Sequence, residues 1–145
     1  MNRKEADTRA DLIDPKLKQD GWGEVDKSYI RREEICPGRI MTGNKRGTKV
    51  YSDYVLVYQG RKLAVVEAKK EDLSYTEGVR QAKDYATRLK CRIAYATNGH
   101  EIYQMDMLTG EESLVDDYMS PEQLWDYTFG GSGSTIEPGF ASVWR

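Results

Sequence analysis

The sequence predicts an α/β fold, a mixed sheet flanked by helices, and three features lead to that reading. Two windows carry apolar residues at three- and four-residue spacing, several short runs are rich in Tyr, Ile and Val, and turn signals separate them. The first window is 5–19, where Ala6, Ala10, Ile13 and Leu17 mark one helical face and Gly21 offers a C-terminal stop. Pro15 interrupts it, because an internal proline lacks the backbone N–H that a helix needs. Residues 26–35 and 49–58 read as strands, with a basic, glycine-containing loop at 42–48 between them. Gln59-Gly60-Arg61 reads as a tight turn into a strand over 62–68. The second helical window is 74–90: Ser74 is a candidate cap, and Tyr75, Val79, Ala82, Ala86 and Leu89 form the apolar stripe. Strands over 92–97 and 101–107 follow, parted by Asn98-Gly99, and Thr109-Gly110 makes another turn. Pro121 to Tyr127 completes the series as a short helix capped by Ser120. The predicted order is α-β-β-β-α-β-β-α, with helices covering a central sheet.

A chain of 145 residues suits one domain. Gly130-Gly131-Ser132-Gly133-Ser134 reads as a flexible linker, natural or appended, so the domain is expected over 1–129 and a tail over 130–145. Even the longest apolar stretches, such as Leu63-Ala64-Val65-Val66, are far too short for a transmembrane helix, and the charged N-terminus lacks a signal-peptide core. Cys36 and Cys91 are too few for a four-thiolate zinc site and read as free thiols of a cytoplasmic protein. A single histidine, His100, excludes paired-histidine metal motifs and reads as structural or exposed. Trp22, Trp125 and Tyr127 read as packing residues. Net charge is −2, but residues 1–92 hold 21 Lys/Arg against 15 Asp/Glu, whereas 93–145 hold one against nine. A basic first part can face a polyanion that the acidic end would repel.

The chemistry gathers at the ends of two strands. Asp53 opens Tyr54-Val55-Leu56-Val57, and Glu67-Ala68-Lys69 closes the next strand, with thirteen residues between the two acids. Side chains two apart on a strand share a face, so Glu67 and Lys69 point the same way. If Gly60 lies near the tip of an antiparallel hairpin, position 53 falls opposite position 67. Two carboxylates held together repel, and a divalent cation removes the conflict. Hard oxygens suit Mg²⁺, with Mn²⁺ as its substitute; Mg²⁺ retains waters and takes substrate phosphate oxygens as well. An ammonium such as Lys69 can orient the attacking water and offset developing charge. The bland alternative is a strand end that emerges into solvent with Glu67 paired to a surface lysine.

Asp53 with Glu67-Ala68-Lys69 resembles the PD-(D/E)xK nuclease signature. More closely, Tyr51 to Leu56 followed by Val65 to Lys70 resembles the N-terminal nuclease domain of type I restriction enzyme R subunits. Gln81 and Tyr85 resemble that family's Q-x-x-x-Y element, and Glu5 to Arg9 with Ile13-Asp14, Leu17 and Gly21-Trp22 resembles its opening helix. The signature proline before the Asp is Ser52 here. The resemblance spans about Glu5 to Phe129 and implies a restriction-endonuclease-like α-β-β-β-α-β core. It further implies a Mg²⁺-dependent endonuclease acting on double-stranded DNA. Asp53, Glu67 and the Ala68 carbonyl would bind metal, Lys69 would assist the water, and Gln81 and Tyr85 would hold the DNA backbone or brace Lys69. Glu5 is a further candidate ligand, or else the i,i+4 partner of Arg9, and Lys70 a lesser phosphate contact. Residues 43–49 lack the G-x-x-x-x-G-K-[ST] order. ATP-driven motor domains, along with methylation and specificity subunits, would therefore be partners outside this chain. The competing expectations are a non-catalytic DNA-binding or assembly module of the same fold, and another PD-(D/E)xK enzyme of repair or junction cleavage.

Overall fold

A computed structural model describes residues 5–35, 50–69 and 73–130. The basic loop at 42–48, Cys36, Lys70 and the tail beyond Gly130 lie outside the described residues. Six strands form one mixed sheet: β1 (Ser28–Arg31), β4 (Tyr54–Tyr58), β5 (Arg61–Ala68), β6 (Ile93–Thr97), β7 (Ile102–Asp106) and β8 (Glu112–Val115), adjacent in that order. β5 and β6 run parallel and the other neighbours antiparallel. A separate two-stranded ribbon joins β2 (Glu34–Ile35) to β3 (Val50–Tyr51). The α/β class and the central mixed sheet are as the sequence predicts.

Helices cover both faces, so the central strands are buried on both sides, as a parallel pair requires. On one face Ile13, Leu17, Trp22 and Leu124 close over Leu56, Ala64, Val66 and Tyr95. On the other, α3 (Val79–Leu89) sets Ala82, Tyr85 and Ala86 against Val55, Val65, Ala94 and Ala96. Trp22 is fully buried and donates its indole N–H to the Met119 carbonyl at 2.8 Å, which ties the first helical segment to the entry of α4 (Pro121–Phe129). Ser120 and Gln123 form a reciprocal capping box at that entry, with Pro121 in the first turn, so two otherwise orphaned N–H groups are satisfied.

Four departures from the expected elements matter. The helix over 5–19 is α1 (Glu5–Thr8), a π turn (Arg9–Ile13) and α2 (Asp14–Gln19) in succession. Pro15 accounts for the break: the helical backbone runs on through Ile13 and Asp14, so a residue without an N–H leaves an intrahelical acceptor unmatched, and the wider turn stands just before it. The two long strands expected over 26–35 and 49–58 each split, at Arg32-Glu33 and at Ser52-Asp53. Backbone and side-chain bonds between these breaks (Ser52 N–H to the Glu33 carbonyl, Glu33 N–H to Ser52 Oγ) turn both chains out of the main sheet together. Ser74 caps a 3₁₀ turn (Tyr75–Gly78) that precedes α3, so the second helix begins later than its apolar stripe. Finally, β8 went unpredicted: it is an edge strand with largely exposed side chains, so it carries no inward-facing pattern.

The β4–β5 hairpin decides where Asp53 falls against β5. Its tip is Gln59-Gly60, both with positive φ (50° and 79°), the type I′ geometry whose twist suits a two-residue hairpin. Tyr58 pairs with Arg61 and Val57 with Lys62; the register then shifts, and Leu56 pairs with Ala64, Val55 with Val65 and Tyr54 with Val66. Leu63 is therefore an extra residue, a β-bulge. Without it, the register set by the turn would place Asp53 opposite Val66. With it, Asp53 continues the pairing beside Glu67.

Candidate active site

Asp53 sits at the bend before β4, and its carboxylate reaches β5: Oδ2 accepts the Ala68 N–H at 2.8 Å. Tyr54 and Val66 pack into the first core cluster, whereas Val55 and Val65 pack under α3. By alternation, Asp53 and Glu67 face the α3 side. Both are buried, at 8% and 4% exposure. Lys69 follows β5, its N–H bonded to the Thr97 carbonyl at 2.9 Å, and its Nζ lies 3.7 Å from Glu67 Oε2. The predicted trio thus meets at one end of the sheet, and the lysine is the member nearer solvent.

Gly78 forms the roof. A Cβ on it would lie 3.0 Å from Glu67 Cγ and 3.4 Å from Lys69 Cε, so the start of α3 rests directly on these two side chains. Asn98 holds the approach to that roof: its amide donates to the Leu73 carbonyl at 2.7 Å, and its Oδ1 accepts the N–H groups of His100 and Glu101. One turn into α3, Gln81 donates to the Tyr85 hydroxyl. Tyr85 is 4% exposed and belongs to the core under the helix, while Gln81 is exposed. Burial pushes the Tyr85 phenol up, the Gln81 bond draws it back, and the charges of Glu67 and Asp53 raise it further. Tyr85 therefore stays a neutral hydrogen-bonding group within electrostatic reach of both acids. Its burial makes it a brace behind them, and of this pair only Gln81 stands where a ligand could touch it.

Two arginines join the site that the strand pattern gave no reason to place there. Arg9, in the π turn, approaches Asp53 Oδ1 at 3.4 Å. Arg32, in the β1–β2 connection, reaches the same oxygen at 3.9 Å and donates through Nε to the Ser52 carbonyl at 3.2 Å. The Glu5 side chain, expected as a further ligand or as the partner of Arg9, lies outside the described part of the structure. Gly78 did carry a signal, since a glycine inside a helical window costs about 1 kcal/mol relative to alanine and points to close packing. Arg32 carried none.

Elsewhere, His100 is exposed, Trp22 and Trp125 pack in or against the core, and Tyr127 donates to Asp106. Cys91 is a buried free thiol. Among the described residues no helix is long and apolar enough to cross a membrane, and no cluster of three or more His, Cys, Asp or Glu side chains is placed to hold a metal.

No family model matches the chain. The endonuclease subunit of the type I restriction enzyme EcoAI from Escherichia coli is 30% identical over 135 residues, covering 86% of this chain and 16% of that subunit. The solved structure of a fragment assigned to the HsdR subunit of a type I restriction enzyme from Vibrio vulnificus YJ016 superposes with a TM-score of 0.78 at 40% identity. That match covers 90% of this chain and 26% of the other. Over most of its own length the chain is thus a relative of type I restriction enzyme endonuclease subunits, corresponding to a segment of such a subunit.

Proposed function

We propose that the chain is the nuclease part of a type I restriction R subunit: a restriction-endonuclease-like core that hydrolyses phosphodiester bonds of double-stranded DNA with Mg²⁺. The observation that carries this reading is the meeting of Asp53, Glu67 and Lys69 at one sheet end, on the face that α3 covers. The donor set suits a hard ion. The two buried carboxylates, with the Ala68 carbonyl, would supply a few hard oxygens, and water and phosphate oxygens would complete the set that Mg²⁺ prefers. Bound there, Mg²⁺ would polarise the phosphodiester and lower the pKa of a coordinated water.

The protein's own groups have separable tasks. The Ala68 N–H fixes Asp53 through Oδ2, leaving Oδ1 to face Arg9 and Arg32. Glu67 is held between the sheet and the Gly78 roof. Lys69 carries a proton donor and positive charge to the mouth of the site, where it orients the attacking water and offsets charge on the phosphate. Gln81 lies at the rim within reach of a DNA backbone, and Tyr85 keeps α3 pressed on the acids. Translocation driven by ATP, methylation and site recognition would reside in other domains and subunits, which act with this segment on DNA.

The test is cleavage of supercoiled plasmid with Mg²⁺ or Mn²⁺ by the chain and by Asp53→Ala and Lys69→Ala. Loss of cutting in both variants, with unchanged circular dichroism, supports the assignment. Cutting that survives both substitutions ends it. A chain that binds duplex DNA but never cuts under either metal would be the non-catalytic module instead.

A further inference from the structure

We propose that Arg9 and Arg32 are phosphate-contact residues that rest on Asp53 Oδ1 in the metal-free protein and give that oxygen up to the divalent ion. This rests on the metal-site reading above and adds residues that the strand motif does not contain. The two oxygens of Asp53 are unequal. Oδ2 is committed to the Ala68 N–H at 2.8 Å, a bond that survives metal binding because it uses the inner oxygen. Oδ1 faces two guanidinium groups instead, from Arg9 at 3.4 Å and Arg32 at 3.9 Å. They come from different elements, the π turn and the β1–β2 connection, so their convergence on one atom is a tertiary feature and not a local pair.

The geometry of these pairs is loose. Distances of 3.4 and 3.9 Å are longer than the 2.7–2.9 Å of a strong charge-assisted bond. The Arg9 side chain is 23% exposed and that of Arg32 53% exposed, so solvent reaches both. A weak, partly solvated pair is easily exchanged, and a cation of charge two outcompetes a guanidinium for a hard carboxylate oxygen. Once displaced, two planar, permanently charged forks stand at the edge of the metal site, with geometry matched to phosphate oxygens. Arg32 stays anchored through Nε on the Ser52 carbonyl, so its terminal nitrogens swing over a short arc. The π turn sets Arg9 at its start, and Ile13 and Leu17 anchor the following turns in the core.

The test separates competition from bracing. Ca²⁺, a hard-ion probe used in place of Mg²⁺, is titrated by calorimetry into the chain and into Arg9→Gln and Arg32→Gln, each checked by circular dichroism. Competition predicts that each variant binds Ca²⁺ several-fold more tightly than the parent. With Ca²⁺ saturating, anisotropy of a labelled duplex should show weaker binding in each variant, with a salt slope reduced by about one. Arg9→Lys, which keeps the charge but not the fork, should fall between parent and Arg9→Gln in both measurements. Unchanged or weaker Ca²⁺ binding in both glutamine variants would overturn the proposal, since arginines that merely brace Asp53 would produce that result. Failure of the parent to bind Ca²⁺ at all would instead count against the metal-site reading beneath it.

Discussion

Replacing Gly78 by alanine adds one methyl group at the point where α3 presses on the proposed catalytic pair. Its Cβ would stand 3.0 Å from Glu67 Cγ and 3.4 Å from Lys69 Cε, against an optimal carbon–carbon separation of about 3.5–4.0 Å. Relief requires a shift of roughly half an ångström by Glu67, by Lys69 or by the start of the helix. Overpacking of this kind costs about 1–3 kcal/mol. At φ −105° the backbone suits alanine, so about 0.4–1 kcal/mol returns through the unfolded chain. The net is a destabilisation of about 1 kcal/mol, a fall of a few degrees in Tm. Function should suffer more. A misplacement of about 1 Å at a reacting centre costs on the order of 10²-fold, so half that distance predicts roughly tenfold slower plasmid cleavage. The assay is cleavage rate together with Mn²⁺ affinity by calorimetry and Tm by circular dichroism. Thr87→Ala, exposed and farther along the same helix, serves as the control and should leave cleavage unchanged. Gly78→Ala with parental cleavage and parental Mn²⁺ affinity would refute the reasoning, because the helix would then have moved while the carboxylate stayed in place.

Other outcomes test the scaffold. Arg92 grips Asp106 through two nitrogens at 3.0 and 2.9 Å, so Arg92→Ala should cost about 3 kcal/mol in chemical denaturation by leaving a buried charge. Burial works against the Asp106 charge, but Arg92, Tyr127 and the N–H groups of Leu108 and Thr109 together hold its carboxyl well below the usual range. Folding therefore favours the ionised form: its stabilisation is complete above an unfolded pKa of about 3.9 and is lost as pH falls further. Asp106→Asn should flatten that acid limb of Tm against pH. Burial pushes the Cys91 thiol up to about 12, so in a Cys36→Ser background the native chain should resist thiol reagents at pH 8 and react on unfolding. Gln59 holds a positive φ of 50° at the hairpin tip, and Gln59→Asn, which tolerates that conformation and makes the favoured Asn-Gly turn, should raise stability by on the order of 0.5 kcal/mol.

The central juxtaposition could be read from the sequence because strand periodicity and a glycine turn both survive in it. Yet the register came out right through a feature that no pattern displayed. The turn is Gln59-Gly60, which alone would offset the acids by one residue, and the bulge at Leu63 restores them. Gln81 and Tyr85 were visible as an i,i+4 pair, but their unequal burial was not, since it depends on how α3 lies over β5. Pro15 marked a disturbed helix without revealing that a π turn would aim Arg9 at Asp53. The split of both long strands beside Ser52 depends on Ser52–Glu33 bonds between segments some twenty residues apart, and contacts of that range leave no local trace. The exposed edge strand β8 and Arg32 were silent for the same reason: neither breaks a periodicity nor fills a motif.

A crystal soaked in Mn²⁺ and read by its anomalous signal addresses the metal site most directly. One manganese peak is expected within coordination distance of Asp53 Oδ1 and a Glu67 oxygen, and it should vanish in Asp53→Asn. A saturating soak that leaves both carboxylates without an ion, or seats the ion away from them, would contradict a shared metal site at this end of the sheet.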